Sequence, residues 1–216
     1  MKNNSFEEPS SDFAALLNII AQTAYSLKLD AKRILDVGCG SGLLAQRLIE
    51  IYPESDFTLL DIQEKMIRKT REKTESLTRN PISFVESDMR LAKFPERSFD
   101  LITALMSVHF MNNPDEYLMI FRNFRKWLSP NGLFVAGGFV GELNPVIRKM
   151  QFDEWRKNQE ESEMQRYSPK MLRSEIEFVS RVLPIAEQTE ILKTAGFPKV
   201  GLLYKMFHFG AYYAIK

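Results

Sequence analysis

At 216 residues, 44% of them hydrophobic and 26% charged, the chain has the length and composition of one globular domain with a full core, which excludes a disordered or fibrous protein. Twenty-nine Lys and Arg against 28 Asp and Glu leave a net charge of +1, so no whole-molecule field draws the chain onto nucleic acid or an anionic membrane. A single cysteine, Cys39, and two histidines are too few for a disulfide framework or for a zinc site built from those ligands.

Met1 to Glu8 has no apolar signal core, and no run nears the roughly 18 apolar residues of a membrane span, so the expected setting is cytoplasmic and off the membrane. Ser10, Ser11 and Asp12 offer N-caps to a helix within residues 1–30, along which Phe13, Leu16, Leu17, Ile20, Ala24 and Leu27 recur at helical spacing. Residues 34–42 then read as an apolar strand ending in Asp36 that runs into Gly38, Gly40 and Gly42, followed by a helix carrying Leu43, Leu44, Leu48 and Ile51.

That strand, loop and helix surround a ligand. A dinucleotide fingerprint needs a third glycine where Leu43 stands, and a phosphate-binding loop needs a Gly-Lys-Ser/Thr that does not follow. A nucleoside ligand without phosphates remains, and Asp36 suits one that carries positive charge. S-adenosylmethionine is such a ligand. Nineteen residues after Gly42, the strand Phe57-Thr58-Leu59-Leu60 ends in Asp61, where a carboxylate accepts hydrogen bonds from both ribose hydroxyls.

Gln63 to Leu77 carries Glu64/Arg68, Arg68/Glu72 and Arg71/Glu75 at i,i+4, the pattern of a solvated outer helix rather than a nucleic-acid stripe. Ile82 to Val85 is a third strand, closed by Glu86-Ser87-Asp88-Met89. Phe99 to Leu105 is a fourth, apolar enough to be covered on both faces, and its carboxyl end places Leu105 to His109 beside the ligand crevice. Pro114 opens a helix with a buried stripe of Tyr117, Ile120, Phe121, Phe124, Trp127 and Leu128, and Ser129 to Gly132 turns into a fifth strand, Leu133 to Phe139.

Residues 140–184 break the alternation. Asn144-Pro145 and Ser168-Pro169 each start a helix, the first with Val146, Ile147, Met150 and Trp155, the second with Met171, Leu172, Ile176, Val179 and Leu183; together they are the candidate for a helical lid over the carboxyl ends of the strands, with ordinary packing against the sheet as the alternative for these apolar residues. Thr189 to Ala195 is the last helix, capped by Gly196, and Val200 to Lys216 supplies two strands that pair antiparallel at one edge. Residues 1–216 then make a single domain.

The run Asp36-Val37-Gly38-Cys39-Gly40-Ser41-Gly42 followed by Asp61 strongly resembles the class I S-adenosylmethionine-dependent methyltransferases over nearly the whole chain. The resemblance implies an α/β, Rossmann-like sheet of seven strands, mostly parallel with the last strand antiparallel, with helices on both faces. It implies S-adenosyl-L-methionine as cofactor and S-adenosyl-L-homocysteine as product. It places Asp36 toward the methionine amine through water, Gly38, Cys39 and Gly40 at close backbone approach, Asp61 and Ile62 at the ribose, Asp88 at the adenine amino group, Met89 over the ring and Leu105 beside the ligand. In that fold a leading helix often helps close the pocket, so Tyr25 is either a residue that reaches the ligand or, the favoured reading, a core or rim tyrosine.

From Phe152 onward, and most clearly at Ala195-Gly196-Phe197 and Lys205 to Gly210, the chain looks like the carboxy-S-adenosylmethionine synthase group, which acts in tRNA wobble-uridine modification. Aligning Tyr167-Ser168 with that group puts Ile176 where an arginine grips the extra carboxylate, with Arg173 one turn away. A buried carboxylate needs a charge partner, which favours a methyltransferase of the same lineage over synthase activity.

Methyl transfer is an in-line displacement that runs largely on positioning; should the acceptor need deprotonation, His109 is the candidate base by type and place, and Tyr167 a candidate for positioning the acceptor. His208, amid aromatics in a strand, reads as structural. The expected function is methylation of a small-molecule acceptor. The alternatives are tRNA modification of the synthase type and a non-catalytic S-adenosylmethionine-binding module.

Overall fold

In the computed structural model, which describes residues 11–158 and 179–216, strand and helix alternate from the start. Helix α1 (Ser11–Lys28) precedes β1 (Arg33–Val37), α2 (Leu43–Ile51), β2 (Asp56–Asp61), α3 (Glu64–Thr74), β3 (Ile82–Glu86) and β4 (Phe99–Leu105). A 3-10 turn (Val108–Phe110), α4 (Pro114–Trp127), β5 (Leu128–Phe139), α5 (Pro145–Asn158), α6 (Ile185–Thr194), β6 (Lys199–Met206) and β7 (Phe209–Ile215) complete the described order. The seven strands form one sheet, β3-β2-β1-β4-β5-β7-β6, parallel except where β7 runs antiparallel to both β5 and β6.

Side chains alternate across a strand, and this alternation sorts the core into two layers. Ile34, Leu101, Leu133 and Val135 join Leu16, Ile20 and Leu48 of α1 and α2 on one face. Leu35, Ile102, Phe134 and Ala136 join Tyr117, Phe121, Phe124 and Leu192 of α4 and α6 on the other. By the same parity Asp36 and Thr103 fall on the first face, beneath the glycine loop. Gly137 lets α1 lie close, since a Cβ there would sit 3.2 Å from both Ile20 Cδ1 and Leu16 Cδ2.

The strand order reverses between β1 and β4, because the chain runs outward through β2 and β3 before returning. In an open α/β sheet this reversal leaves a crevice at the carboxyl ends of the strands. Ser107 pins its two sides, its Oγ donating to the Val37 carbonyl at 2.7 Å. Helix α4 is held by its ends: Asn113 Oδ1 accepts from Glu116 N at 3.0 Å, Pro114 opens the first turn, and Arg125 and Lys126 face the negative end of the helix dipole.

Several local expectations shift. The fifth strand begins at Leu128, not Leu133, because residues 129–132 bulge without leaving the sheet: Phe99 pairs with Leu128 and Leu101 with Leu133, Asn131 takes φ 58, and its N–H bonds to the Lys216 carbonyl. Helix α6 starts at Ile185, not Thr189, directly after Pro184. His208 lies in the turn between β6 and β7. Helix α5 forms as expected, with Asn144 Oδ1 accepting from Val146 N at 2.9 Å, yet Val146 and Met150 face outward. Its buried residues are Phe152 and Trp155, and Trp155 Nε1 donates to Asp12 Oδ2 at 2.7 Å, so the helix docks on the first turn of α1. The second lid helix lies outside the described residues except for its end, where Val179 is buried and Gly141 N donates to the Leu183 carbonyl at 3.1 Å. Among the described residues no helix is long and apolar enough to cross a membrane.

Candidate active site

The glycine loop is tied to β2 by backbone bonds from Gly38 N and Cys39 N to the Leu60 carbonyl, at 2.7 and 2.9 Å. All three glycines have positive φ: 70 at Gly38, 54 at Gly40 and 83 at Gly42. Their surroundings differ. A Cβ on Gly38 would lie 2.3 Å from Ser107 Cβ, and one on Gly42 would lie 2.3 Å from Thr70 Oγ1, whereas one on Gly40 meets nothing within 4 Å. Two glycines therefore permit close packing, and the third leaves bare backbone facing open space.

That space is a cavity of about 610 Å³ at the carboxyl ends of β1, β2, β3 and β4. Asp36, on its wall, is 1% exposed. Oδ1 accepts from Thr103 Oγ1 at 2.8 Å; Oδ2 is buried with no hydrogen-bond partner. Burial pushes its carboxyl up to about 7, the Thr103 hydroxyl pulls it back, and the nearby Asp61 charge adds to the rise. Burial, with Asp36 and Asp61 adjacent, also pushes the Cys39 thiol far above its ordinary range, so it stays protonated. Asp61 braces the loop: Oδ2 accepts from Gly40 N at 2.9 Å and Oδ1 from Gln63 N at 2.8 Å. Each oxygen keeps a second lone pair for a ligand hydroxyl.

Across the cavity, Asp88 is gripped by Arg90, whose backbone N–H donates to Oδ1 at 2.8 Å and whose Nη2 donates to Oδ2 at 2.5 Å. These bonds hold the Asp88 carboxyl below the usual carboxylate range.

The cavity wall includes every cofactor residue expected from the sequence: Asp36, Gly38, Cys39, Gly40, Asp61, Ile62, Asp88, Met89 and Leu105. It also includes Met106 and Ser107, from the segment expected beside the crevice, and Phe13, Arg90, Phe110 and Met111, which the sequence reading does not assign. Phe13 was visible only as the first apolar residue of the α1 stripe. Met106 takes φ 55 just past β4, a strained conformation for a side chain that no sequence pattern announced.

His109 does not fit the role of base. It is 4% exposed and does not line the cavity, because the 3-10 turn carries it toward β5, where Gly138 leaves room for its ring. Nδ1 accepts from Phe139 N at 3.2 Å, so that lone pair is taken and Nε2 carries the proton. Burial drives its pKa down to about 3. Tyr25 is 52% exposed and off the cavity, so it is neither core nor pocket rim; Phe13 is the residue of α1 that reaches the wall. Tyr167, Arg173 and Ile176 lie outside the described residues. Described residues of the lid do not line the cavity.

Residues 34–132 match the family described as Methyltransferase domain. That match supports the resemblance to the class I S-adenosylmethionine-dependent methyltransferases over the glycine loop and strands β1 to β4. Among curated relatives, the chain is 30% identical over 106 residues to malonyl-[acyl-carrier protein] O-methyltransferase of Legionella pneumophila, covering 49% of this chain and 36% of that one. It is 31% identical over 129 residues to the mitochondrial arginine-hydroxylase NDUFAF5 of Rattus norvegicus, covering 60% and 35%. The chain thus spans roughly a third of the length of these relatives. Human N-acetylserotonin methyltransferase in complex with SAM shares the fold at TM-score 0.61 and 17% identity, over 94% of this chain and 52% of that one. A SAM-dependent methyltransferase from Aquifex aeolicus does so at 0.59 and 17%, over 94% and 97%.

The cavity fits S-adenosylmethionine on its own chemistry. A buried carboxylate oxygen lacking a donor matches an ammonium, an open backbone at Gly40 admits close approach, and Asp61 retains acceptor capacity for a diol.

Proposed function

We propose that the protein transfers a methyl group from S-adenosylmethionine to a small-molecule acceptor. The observation that carries this reading is Asp36 Oδ2, buried without a hydrogen-bond partner in a residue that lines the same cavity as Gly40. Leaving a carboxylate in that state costs stability, and a cationic ligand offsets the cost.

The bound cofactor supplies an electrophilic methyl on a sulfonium. Asp36 orients the amine end, Asp61 the ribose, and Asp88 with Met89 the base. Phe13, Met106 and Phe110 give the remaining wall an apolar character suited to an acceptor with an apolar body. With His109 turned away and neutral, these residues hold reactants in line and exclude water, and the acceptor brings its own lone pair. That last feature favours a second reading, in which the acceptor is a carboxylate already ionised at neutral pH. The similarity to a methyltransferase of malonyl-[acyl-carrier protein] supports it.

Mass spectrometry of the nucleoside released on denaturing the purified protein is the first test, followed by titration with S-adenosylhomocysteine. Recovery of S-adenosylmethionine or S-adenosylhomocysteine is expected. Absence of both, with no binding in the titration, rejects the assignment. Methyl transfer is then assayed on free phenols, amines and carboxylic acids, on acyl groups linked to a carrier protein, and on tRNA. Turnover only on carrier-linked acids promotes the second reading, turnover only on tRNA replaces both, and tight binding without turnover points to a binding module.

A further inference from the structure

Arg90 sits on the cavity wall, two residues past Asp88, and belongs to none of the motifs used so far. Its Nε lies 3.0 Å from both Asp88 oxygens, which adds to the bonds from its backbone N–H and Nη2. Three N–H groups thus make four contacts to the carboxylate, the Nε proton being shared between both oxygens, so three protons face about four lone-pair sites. The far end of the guanidinium is held as well: Nη1 lies 3.4 Å from Glu116 Oε2 at the start of α4. Glu116 is fixed in turn by Asn112, whose backbone N–H and Nδ2 donate to Oε2 at 3.1 and 3.0 Å. A chain of alternating charge, Asp88, Arg90 and Glu116, therefore bridges the turn after β3, which forms part of the cavity wall, and the start of α4.

We propose that Arg90, braced by Glu116, is a positioning residue that locks the Asp88 carboxylate in one orientation, so that the site accepts a 6-aminopurine and rejects a 6-oxopurine. The proposal rests on the reading of the cavity as an adenosyl site with Asp88 at the base. A carboxylate gripped on both oxygens cannot turn, and one kept ionised is acceptor-only. The exocyclic amine of adenine donates to the remaining lone pair. The 6-oxo group of hypoxanthine presents a lone pair to a lone pair, and neither partner has a proton to offer. Without the fork, Asp88 is free to rotate away from the 6-oxo group, and the repulsion that excludes hypoxanthine is relieved. The hydrogen bonds within the cluster thus serve discrimination rather than affinity alone. Lysine in place of Arg90 keeps the charge but lacks the planar fork, so it restores the orientation only in part.

The test is the ratio of dissociation constants for S-adenosylhomocysteine and its deaminated analogue S-inosylhomocysteine, by calorimetry on the full chain. The intact protein is expected to prefer the adenosyl ligand by about 100-fold, the scale of a charge-assisted hydrogen bond exchanged for a repulsion. Arg90→Ala is expected to lower that ratio about tenfold, Arg90→Lys by a few-fold and Glu116→Gln by about twofold. Should Arg90→Ala fail to fold, Arg90→Lys carries the test. Equal weakening of both ligands in the Arg90 variants, with the ratio unchanged, shows a merely structural role and overturns the proposal. Asp88→Asn separates the two layers of the argument: its amide pairs with either base, so the ratio should collapse. An unchanged ratio there removes Asp88 from the base and the proposal with it, while leaving cofactor binding intact. No binding of either ligand to the unaltered protein would instead sink the adenosyl reading itself.

Discussion

Asp36 at the end of β1 and His109 just past the end of β4 belong to neighbouring strands, are almost fully buried, and are both pushed toward their neutral forms by burial. Their surroundings make them opposites. Asp36 has one oxygen satisfied by Thr103 and the other buried without a partner, in a residue that lines the cavity. His109 has its Nδ1 filled by the Phe139 N–H and its ring fitted into the space left by Gly138. The same desolvation thus marks a ligand site in one region and a packed strut in the other, and the geometry of the unfilled lone pair tells them apart.

The largest effect on this contrast is expected from the loop that holds Asp36 in place. Gly38→Ala adds a Cβ 2.3 Å from Ser107 Cβ in a residue at φ 70, and should cost roughly 2–5 kcal/mol of stability and abolish S-adenosylhomocysteine binding. Gly40→Ala, at φ 54 with open space before it, should cost only about 1–2 kcal/mol yet weaken binding, since the new methyl points where the ligand approaches. Thermal unfolding and calorimetry on the pair check this; equal destabilisation of both variants would contradict the division between packing and ligand-facing glycines.

Asp36→Asn should act in two directions. Removing an ionised, desolvated carboxylate is expected to stabilise the free protein by roughly 2–4 kcal/mol at pH 7.5, while losing the partner of the amine weakens S-adenosylhomocysteine by about 100-fold. Asp61→Ala should weaken the ligand by about ten- to a hundredfold and, because Gly40 N loses its acceptor, destabilise the loop as well. Unchanged affinity by calorimetry would remove Asp61 from the site.

The parts legible in the sequence share a short range. The glycine spacing, Asp36, Asp61, Asp88 and Met89 were readable because a parallel strand delivers its last residues to one edge, so position along the chain stands for position in the site. His109 was misread by the same rule: it follows β4 in sequence, but the 3-10 turn rotates it off that edge, and no pattern in Leu105 to Phe110 signals the turn. Phe13 and Arg90 were missed for a different reason. Phe13 reaches the wall through α1 packing, with its neighbour Asp12 tied to Trp155 across 143 residues, and Arg90 matters through a side-chain fork that spacing cannot show. The bulge that lengthens β5 likewise depends on Lys216 at the far end of the chain.

The smallest expected effect compares the two buried groups directly, through pH. Asp36 has its pKa raised from 3.8 to about 7, so between those values the folded state keeps a proton that the unfolded chain has released, and stability falls as pH rises. His109 and His208 are lowered from 6.5 to about 3 and about 4, so below pH 6.5 the unfolded chain takes up protons that the folded state refuses, and stability falls as pH drops. Between about pH 4.5 and 6, Asp36 therefore opposes the histidines, with one proton against two. Asp36→Asn removes the opposing proton and should steepen the rise of unfolding free energy with pH by about 1.4 kcal/mol per unit, whereas His109→Asn should flatten it by a similar amount. Urea unfolding at three pH values in that window measures both slopes. A slope unaltered by Asp36→Asn would mean that the carboxylate is already ionised in the free protein, and the distinction drawn between an open and a filled buried group would lose its electrostatic half.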